Sequence, residues 1–354
     1  EGMEFGIFRL LKAIYGLGDA PFQWYLTVRN WFVKRAFQVS RWDSAVFLLP
    51  GEKGGLDGIV GFATDDGVWG GVSRMKDIMD EFRQFFELKP WEDSAKGPVR
   101  FWGHDITQFP DRITMSQVTY GKSIPPLAVA ARERNDVSLS PERITECGNR
   151  LGSLNYLATN TRADEAAAVS ICSGRLGRQP DVGLMRVINR VITRINSQDV
   201  VLTLTSLKNV KNFDVLVFHD SSHQILDDGG SQGGQIVFLC PAGAVSQDII
   251  SGPTLQEVEG AVMYFKGNRL RRICRSSFAG ETMSASDGLD LGQVVACMLR
   301  EAVPGATFTV KQLTDCSDLW ECVHSLVPHP KEKRLRNECM MIQEAITLGE
   351  VQDL

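Results

Sequence analysis

At 354 residues, 43% of them hydrophobic and 23% charged, the chain is long enough for two or three domains with buried cores and too apolar for large-scale disorder. A net charge of −5 excludes a globally basic surface, so any groove for nucleic acid has to be local. No apolar run approaches the ~20 residues of a membrane-spanning helix, and the first residues lack the basic-then-apolar plan of a signal peptide, so a soluble, non-secreted chain is expected.

In chain order, Phe5, Phe8, Leu10 and Leu11 precede a helix predicted from Pro21 onward and rich in aromatics (Phe22, Trp24, Tyr25, Trp31, Phe32). Apolar and β-branched residues running in through Leu56, Ile59, Val60 and Phe62 and out through Val68, Trp69 and Val72 predict a tight β-hairpin with Asp66-Gly67 at the reversal. Its adjacent carboxylates, Asp65 and Asp66, repel each other, so they either hang in solvent on an ordinary turn or share a divalent cation. Met75, Ile78, Met79, Phe82, Phe85 and Phe86 recur at helical spacing and predict a core-facing helix. Residues 101–106 and 112–120 predict a second hairpin with His104 on its surface, and Pro125, Pro126 and Pro141 mark 122–142 as loop or linker.

From Ile144 to about Asn196 the pattern is helical, and Arg175, Arg178, Arg186, Arg190 and Arg194 face one acid, Asp181. That stripe either contacts phosphates or is a solvated helix face. Strands are predicted around Val215–Asp220 and 233–239, with the acid Asp220 ending the first. Lys266, Arg269, Arg271, Arg272 and Arg275 form a run free of acids, suited to holding a nucleic-acid backbone. His219 and His223 are expected at the surface without a role. Eight scattered cysteines without a C-x-x-C pair, and five histidines that form no cluster with them, point to free thiols rather than a zinc site or disulfides.

Several segments together resemble the Pol polyproteins of copia-type LTR retrotransposons. Leu11-Lys12-Ala13-Ile14-Tyr15-Gly16-Leu17-Gly18-Asp19-Ala20-Pro21, continued by Trp24-Tyr25, is similar to the reverse-transcriptase segment L-K-x-A-L-Y-G-L-K-Q-A-P-x-x-W-Y, with Gly18-Asp19 in place of K-Q. Ala63-Thr64-Asp65-Asp66 stands where that family has its Y-V-D-D hairpin, with Ala63 for the tyrosine. Phe101–Ile106 and Arg112–Tyr120 resemble two strands that contact the primer, and Leu151–Asp164 resembles the L-x-G-S-L-x-Y-L-x-x-T-R-P-D connection, with Ala163 for the proline. In the second half, Val215–Asp220, Arg275–Ala285 with Glu281, Leu313–Ser317 with Asp315, and Lys333–Glu344 with Glu338 are similar to the four acid-bearing segments of a ribonuclease H.

The resemblance implies an α/β chain: a partial reverse-transcriptase palm and thumb over 1–125, a helical connection over 126–205 and a ribonuclease-H-like mixed-sheet domain over 206–354. It implies RNA-directed DNA synthesis with Asp65 and Asp66 as metal ligands, and hydrolysis of RNA in RNA–DNA hybrids with Asp220, Glu281, Asp315 and Glu338 as ligands. Two Mg²⁺ per site, or Mn²⁺ in their place, would be the cofactors, and the RNA template, RNA–DNA hybrid and dNTPs the partners. The element's cytoplasmic particle or the nucleus would be the location, with no membrane attachment. The chain begins in mid-pattern at Glu1-Gly2-Met3, so a fragment is expected, short of the third polymerase carboxylate and unable to polymerise alone. Two alternatives stay open: a decayed or co-opted, non-catalytic retroelement derivative, and an unrelated α/β enzyme with one metal site at Asp65-Asp66.

Overall fold

The computed structural model describes residues 16–52, 54–207, 209–245 and 258–352, so Leu11–Tyr15 of the first resembling segment lie outside the described residues, as do Phe5, Phe8 and Leu10. Contacts divide the chain into two units, one running to Trp91 and taking in Glu301–Gly305, the other holding Glu92–Arg300 and Ala306–Leu354. Among the described residues no helix is long and apolar enough to cross a membrane.

In the first unit, helix α1 (Ala20–Val33) starts on Pro21, where a missing amide hydrogen costs nothing. It is followed by an antiparallel sheet of β1 (Gln38–Val39), β2 (Val46–Pro50), β3 (Leu56–Ala63) and β4 (Asp66–Gly71), in that order, and by α2 (Ser73–Phe85). Met75, Met79 and Phe82 recur at the spacing that keeps one helix face toward the sheet, and they are buried with Trp31, Phe32, Phe47, Leu49 and Val60. The hairpin forms, but its reversal is at Thr64-Asp65, two residues earlier than Asp66-Gly67: Ala63 pairs with Asp66 and Phe62 with Gly67. Thr64 takes the left-handed φ of 61° that the turn requires. Gly67 is needed for packing instead, because a Cβ there would meet the Phe62 ring at 2.8 Å.

The second unit opens with the antiparallel strands β5 (Val99–Phe101), β6 (His104–Gln108) and β7 (Arg112–Ser116), the short helix α3 (Val118–Lys122), and a loop. His104 is buried at 4% exposure beside Tyr156 and Trp102, contrary to the expected surface position. The loop over 123–140 is no free linker: Ile124, Leu127 and Leu139 are buried, and Leu127 exchanges two hydrogen bonds with the Asn189 side chain, at 2.7 and 2.9 Å. The helical stretch is three helices, α4 (Pro141–Ala158), α5 (Ala166–Leu176) and α6 (Val182–Ser197), packed on one apolar core, after which β8 (Val201–Thr205) completes the sheet β5-β6-β7-β8.

The last part is a mixed five-stranded sheet. Strands β9 (Asn212–Ser222), β10 (Gln232–Pro241) and β11 (Ala261–Arg269) are antiparallel neighbours. On the other side of β9, β12 (Thr307–Leu313) runs parallel to it and to β13 (Val351–Gln352). A parallel pair needs a long crossover, supplied by helix α7 (Ser277–Ala302). Ala285, Leu289 and Ala296 of α7 pack on Val215, Val217, Val237 and Val310, joined by α8 (Ser317–His324) and α9 (Arg336–Thr347) through Leu319, Val323, Cys339 and Ile342.

Helix α7 comes close to the sheet because it presents glycine there. A Cβ at Gly292 would lie 2.5 Å from a methyl of Val217 and 3.0 Å from one of Val310. Gly292→Ala therefore lowers unfolding stability by ~1–3 kcal/mol, the usual cost of overpacking, even though alanine favours helix. Urea titration with a tyrosine or tryptophan signal measures it, and an unchanged or raised midpoint would show that the helix and sheet can part without cost.

Candidate metal centre

Each of three acids is placed by a different element. Asp220 lies near the end of β9, Glu281 in the first turns of α7, and Asp315 two residues past β12. The parallel register of β9 and β12, in which Leu313 stands opposite Phe218, brings the ends of both strands to the same edge of the sheet. One oxygen from each of Asp220, Glu281 and Asp315 then lies within 4.8 Å of the others. Asp220 and Asp315 are exposed and Glu281 is buried.

Glu281 is held by Ser221, whose backbone N–H and Oγ donate to Oε1 at 3.1 and 2.7 Å. Ser221 in turn depends on Gly280, where a Cβ would fall 2.4 Å from the serine Oγ. Ser284 donates to the Asp220 carbonyl at 2.9 Å and accepts from Gln235 at 2.8 Å, locking α7 to β9 and β10. These supporting groups were not singled out in the sequence. The signal available was position, because Ser221 follows one acid and Gly280 precedes another.

The electrostatics are those of a site short of positive charge. Burial pushes the Glu281 carboxyl above its usual range, and the neighbouring charges of Asp220 and Asp315 push the same way, while Ser221's hydrogen bonds pull it down. Oε2 of Glu281 has no hydrogen-bond partner and stands 3.9 Å from Nδ1 of His219. His219 is not at the surface as expected: strand alternation turns it inward with Val215 and Val217, to 5% exposure. Burial lowers its pKa to about 4, with Asp315 opposing, so at neutral pH the imidazole is uncharged and leaves the carboxylates uncompensated. His223 is half-buried near Ser231. The donor set fits a hard divalent cation: oxygen ligands of net negative charge, one buried and fixed, two open to solvent.

The other acids are elsewhere. Asp65 and Asp66 are exposed at the hairpin, and among the described residues no third acid, cysteine or histidine joins them. Glu338, in the first turn of α9, accepts from Arg272 at 2.8 Å and is not in the group of three.

Most of the basic residues are occupied within the fold. Arg175 pairs with Asp181, Arg178 and Arg269 with Asp228, and Arg194 with the buried Glu165. Arg186 donates to the carbonyls of Ala130 and Glu133, and Lys266 lies 3.7 Å from Asp287. Arg190, Arg271 and Arg275 are exposed and, among the described residues, make no ion pair. Beside the acids opens a cleft of about 640 Å³, lined by Phe218, Asp220, Gly234, Ile236, Phe265 and Asp315 among others.

The chain is 28% identical over 176 residues, 46% of its length, to the retrovirus-related Pol polyprotein from transposon RE2 of Arabidopsis thaliana, of which it covers 12%. In fold it is similar to the foamy viral protease-reverse transcriptase in complex with RNA/DNA hybrid, at a TM-score of 0.50 and 9% identity, covering 96% of this chain and 38% of that one. The same viral protein in complex with dsDNA gives a TM-score of 0.47 at 9% identity, covering 96% of this chain and 59% of that one. No family model matches. Over the matched 176 residues the chain is similar in sequence to a retroelement Pol polyprotein. Its mixed α/β fold is similar to that of the foamy viral protease-reverse transcriptase, and it spans well under half of the Pol polyprotein it matches.

The raised Glu281 pKa fixes a sign. A carboxyl that holds its proton more tightly in the folded than in the unfolded chain contributes most favourably below its unfolded pKa, and that contribution is lost as pH rises through the folded value. Without divalent cations, Glu281→Gln, which keeps an Oε1 acceptor for Ser221, therefore melts higher than the parent at pH 7, and the gap narrows toward pH 4. Added Mg²⁺ or Mn²⁺ raises the melting temperature of the parent but not of the variant. Differential scanning calorimetry tests both, and a variant that melts lower and still responds to the cation contradicts the assignment.

Proposed function

We propose that the chain hydrolyses RNA in RNA–DNA hybrids at Asp220, Glu281 and Asp315. The observation that carries this reading is the convergence of three carboxylates within 4.8 Å at one end of an open cleft. The relation to retroelement Pol and the RNA/DNA hybrid named for the foamy viral neighbour support it.

Asp220, Glu281 and Asp315 would hold the divalent cations, Mg²⁺ or Mn²⁺, which when bound supply an activated water and neutralise charge on the leaving oxygen. Glu281 is the anchored ligand, since Ser221 fixes one oxygen and leaves the other without a hydrogen-bond partner. Asp220 and Asp315 are the accessible ligands that meet the strand. Glu338 would join only on release from Arg272. His219 stays neutral and keeps water from the buried side of Glu281. Arg271 and Arg275, on the segment leading into α7, are free to take phosphates.

DNA synthesis from dNTPs on an RNA template is the other activity that the resemblance implies. Asp65 and Asp66 stand without a third acid among the described residues, so the nuclease centre is the one proposed.

The test is cleavage of an end-labelled RNA–DNA hybrid. Cleavage requires Mg²⁺ or Mn²⁺, leaves the DNA strand intact, and drops more than ~100-fold in Asp220→Asn, beyond what loss of an outer-shell partner costs. No divalent-dependent cleavage by the folded parent, or cleavage untouched by the substitution, overturns the reading.

A further inference from the structure

The loop from β9 to β10 closes on two arginines. Asp228 accepts from both guanidinium nitrogens of Arg269, Nη1 at 2.9 Å and Nη2 at 2.8 Å, from Arg178, and from the backbone N–H of Gly230 at 3.1 Å. Two guanidinium groups and an amide around one anion are the donor set that binds a phosphate. Gly230 is part of the construction, because a Cβ there would sit 2.6 Å from the Arg269 guanidinium carbon. Neighbouring Arg175 differs: its bidentate pair with Asp181, at 3.0 and 2.8 Å, caps the start of α6 and leaves it a fold contact.

This cluster adjoins the cleft. Arg269 pairs across the sheet with Gln232, which lines the cleft, and Gln232 lies two residues from Gly234, the partner of Asp220. Two residues along the strands and two strand spacings across put the Arg269 and Asp220 backbones roughly 12 Å apart, within reach of one bound nucleic-acid strand. The occupant is also open to solvent, so an incoming anion can reach it. Side chains of Asp228, Arg178 and Arg269 are 34%, 46% and 33% exposed, so the cluster faces water rather than the core.

We propose that Arg178, Arg269 and the Gly230 amide form a phosphate site for a nucleic-acid strand, and that Asp228 caps it until a phosphodiester takes its place. The inference rests on the nucleic-acid partner of the proposed function but not on hydrolysis. A capped site also accounts for arginines that are charged and near the cleft yet neutralised in the free chain. With the cap present, arginine is already compensated, and few counterions are released on binding.

Fluorescence anisotropy with a labelled RNA–DNA hybrid in EDTA tests this without any cleavage. Asp228→Asn binds the hybrid roughly 3- to 10-fold more tightly near 0.1 M salt, with a log–log salt slope steeper by about 1–2, because two uncompensated arginines neutralise phosphates and release their condensed cations. Adding Arg178→Gln and Arg269→Gln to that variant removes the gain. A folded Asp228→Asn that binds no more tightly than the parent overturns the proposal. So does failure of both Asp228→Asn and Asp228→Ser to fold, since a cap that the fold cannot spare cannot be displaced, and so does absence of hybrid binding by every variant. Tighter binding by Asp228→Asn in a chain that cleaves nothing with Mg²⁺ upholds the capped site and removes the nuclease reading.

Discussion

Three carboxylates confined within 4.8 Å are the constraint on which the second half of the molecule depends. Like charges at that separation repel, more strongly where protein replaces water; among the described residues no lysine or arginine pairs with them, and the nearby His219 imidazole is neutral. The fold holds them together through longer-range packing. The parallel register of β9 and β12 aligns two strand ends, glycines on α7 let the helix settle on Val217, and Ser221 fixes the third acid. Such an arrangement is destabilising in isolation, and a bound cation would offset that repulsion.

Charge elsewhere follows a different logic. The five arginines of 175–194 read as a net positive stripe, yet four of them are turned to internal acids or carbonyls. Glu165 is buried and needs Arg194, and Asp181 caps α6 while pairing with Arg175. Formal charge counted along a helix is therefore a poor guide to the field that a polyanion meets. Exposure and pairing decide it, and by that measure Arg190, Arg271 and Arg275 carry more weight than their neighbours.

Much of the site was legible because each acid sits in a local pattern. Asp220 lies near the end of a strand that is apolar over Val215–Phe218, Glu281 follows a glycine at a helix start, and Asp315 follows an alternating strand. What was not legible depended on partners distant in sequence. His219 looked like a strand-end surface residue, but which face of β9 is buried is set by α7, about sixty residues later. His104 is covered by Tyr156 of α4, fifty residues on. Glu338 has the right helix and spacing and is engaged by Arg272 instead. At the first hairpin, Asp-Gly is the common reversal, and here Thr64 takes the strained position while the Phe62 ring fills the space that Gly67 leaves.

The central claim is that Asp220, Glu281 and Asp315 form a divalent-cation site, and direct binding of Mn²⁺ followed by electron paramagnetic resonance tests it most plainly. Saturable Mn²⁺ binding that competes with Mg²⁺ and is lost in Asp315→Asn is the predicted result. Equal binding by the parent and Asp315→Asn, both folded, would contradict it.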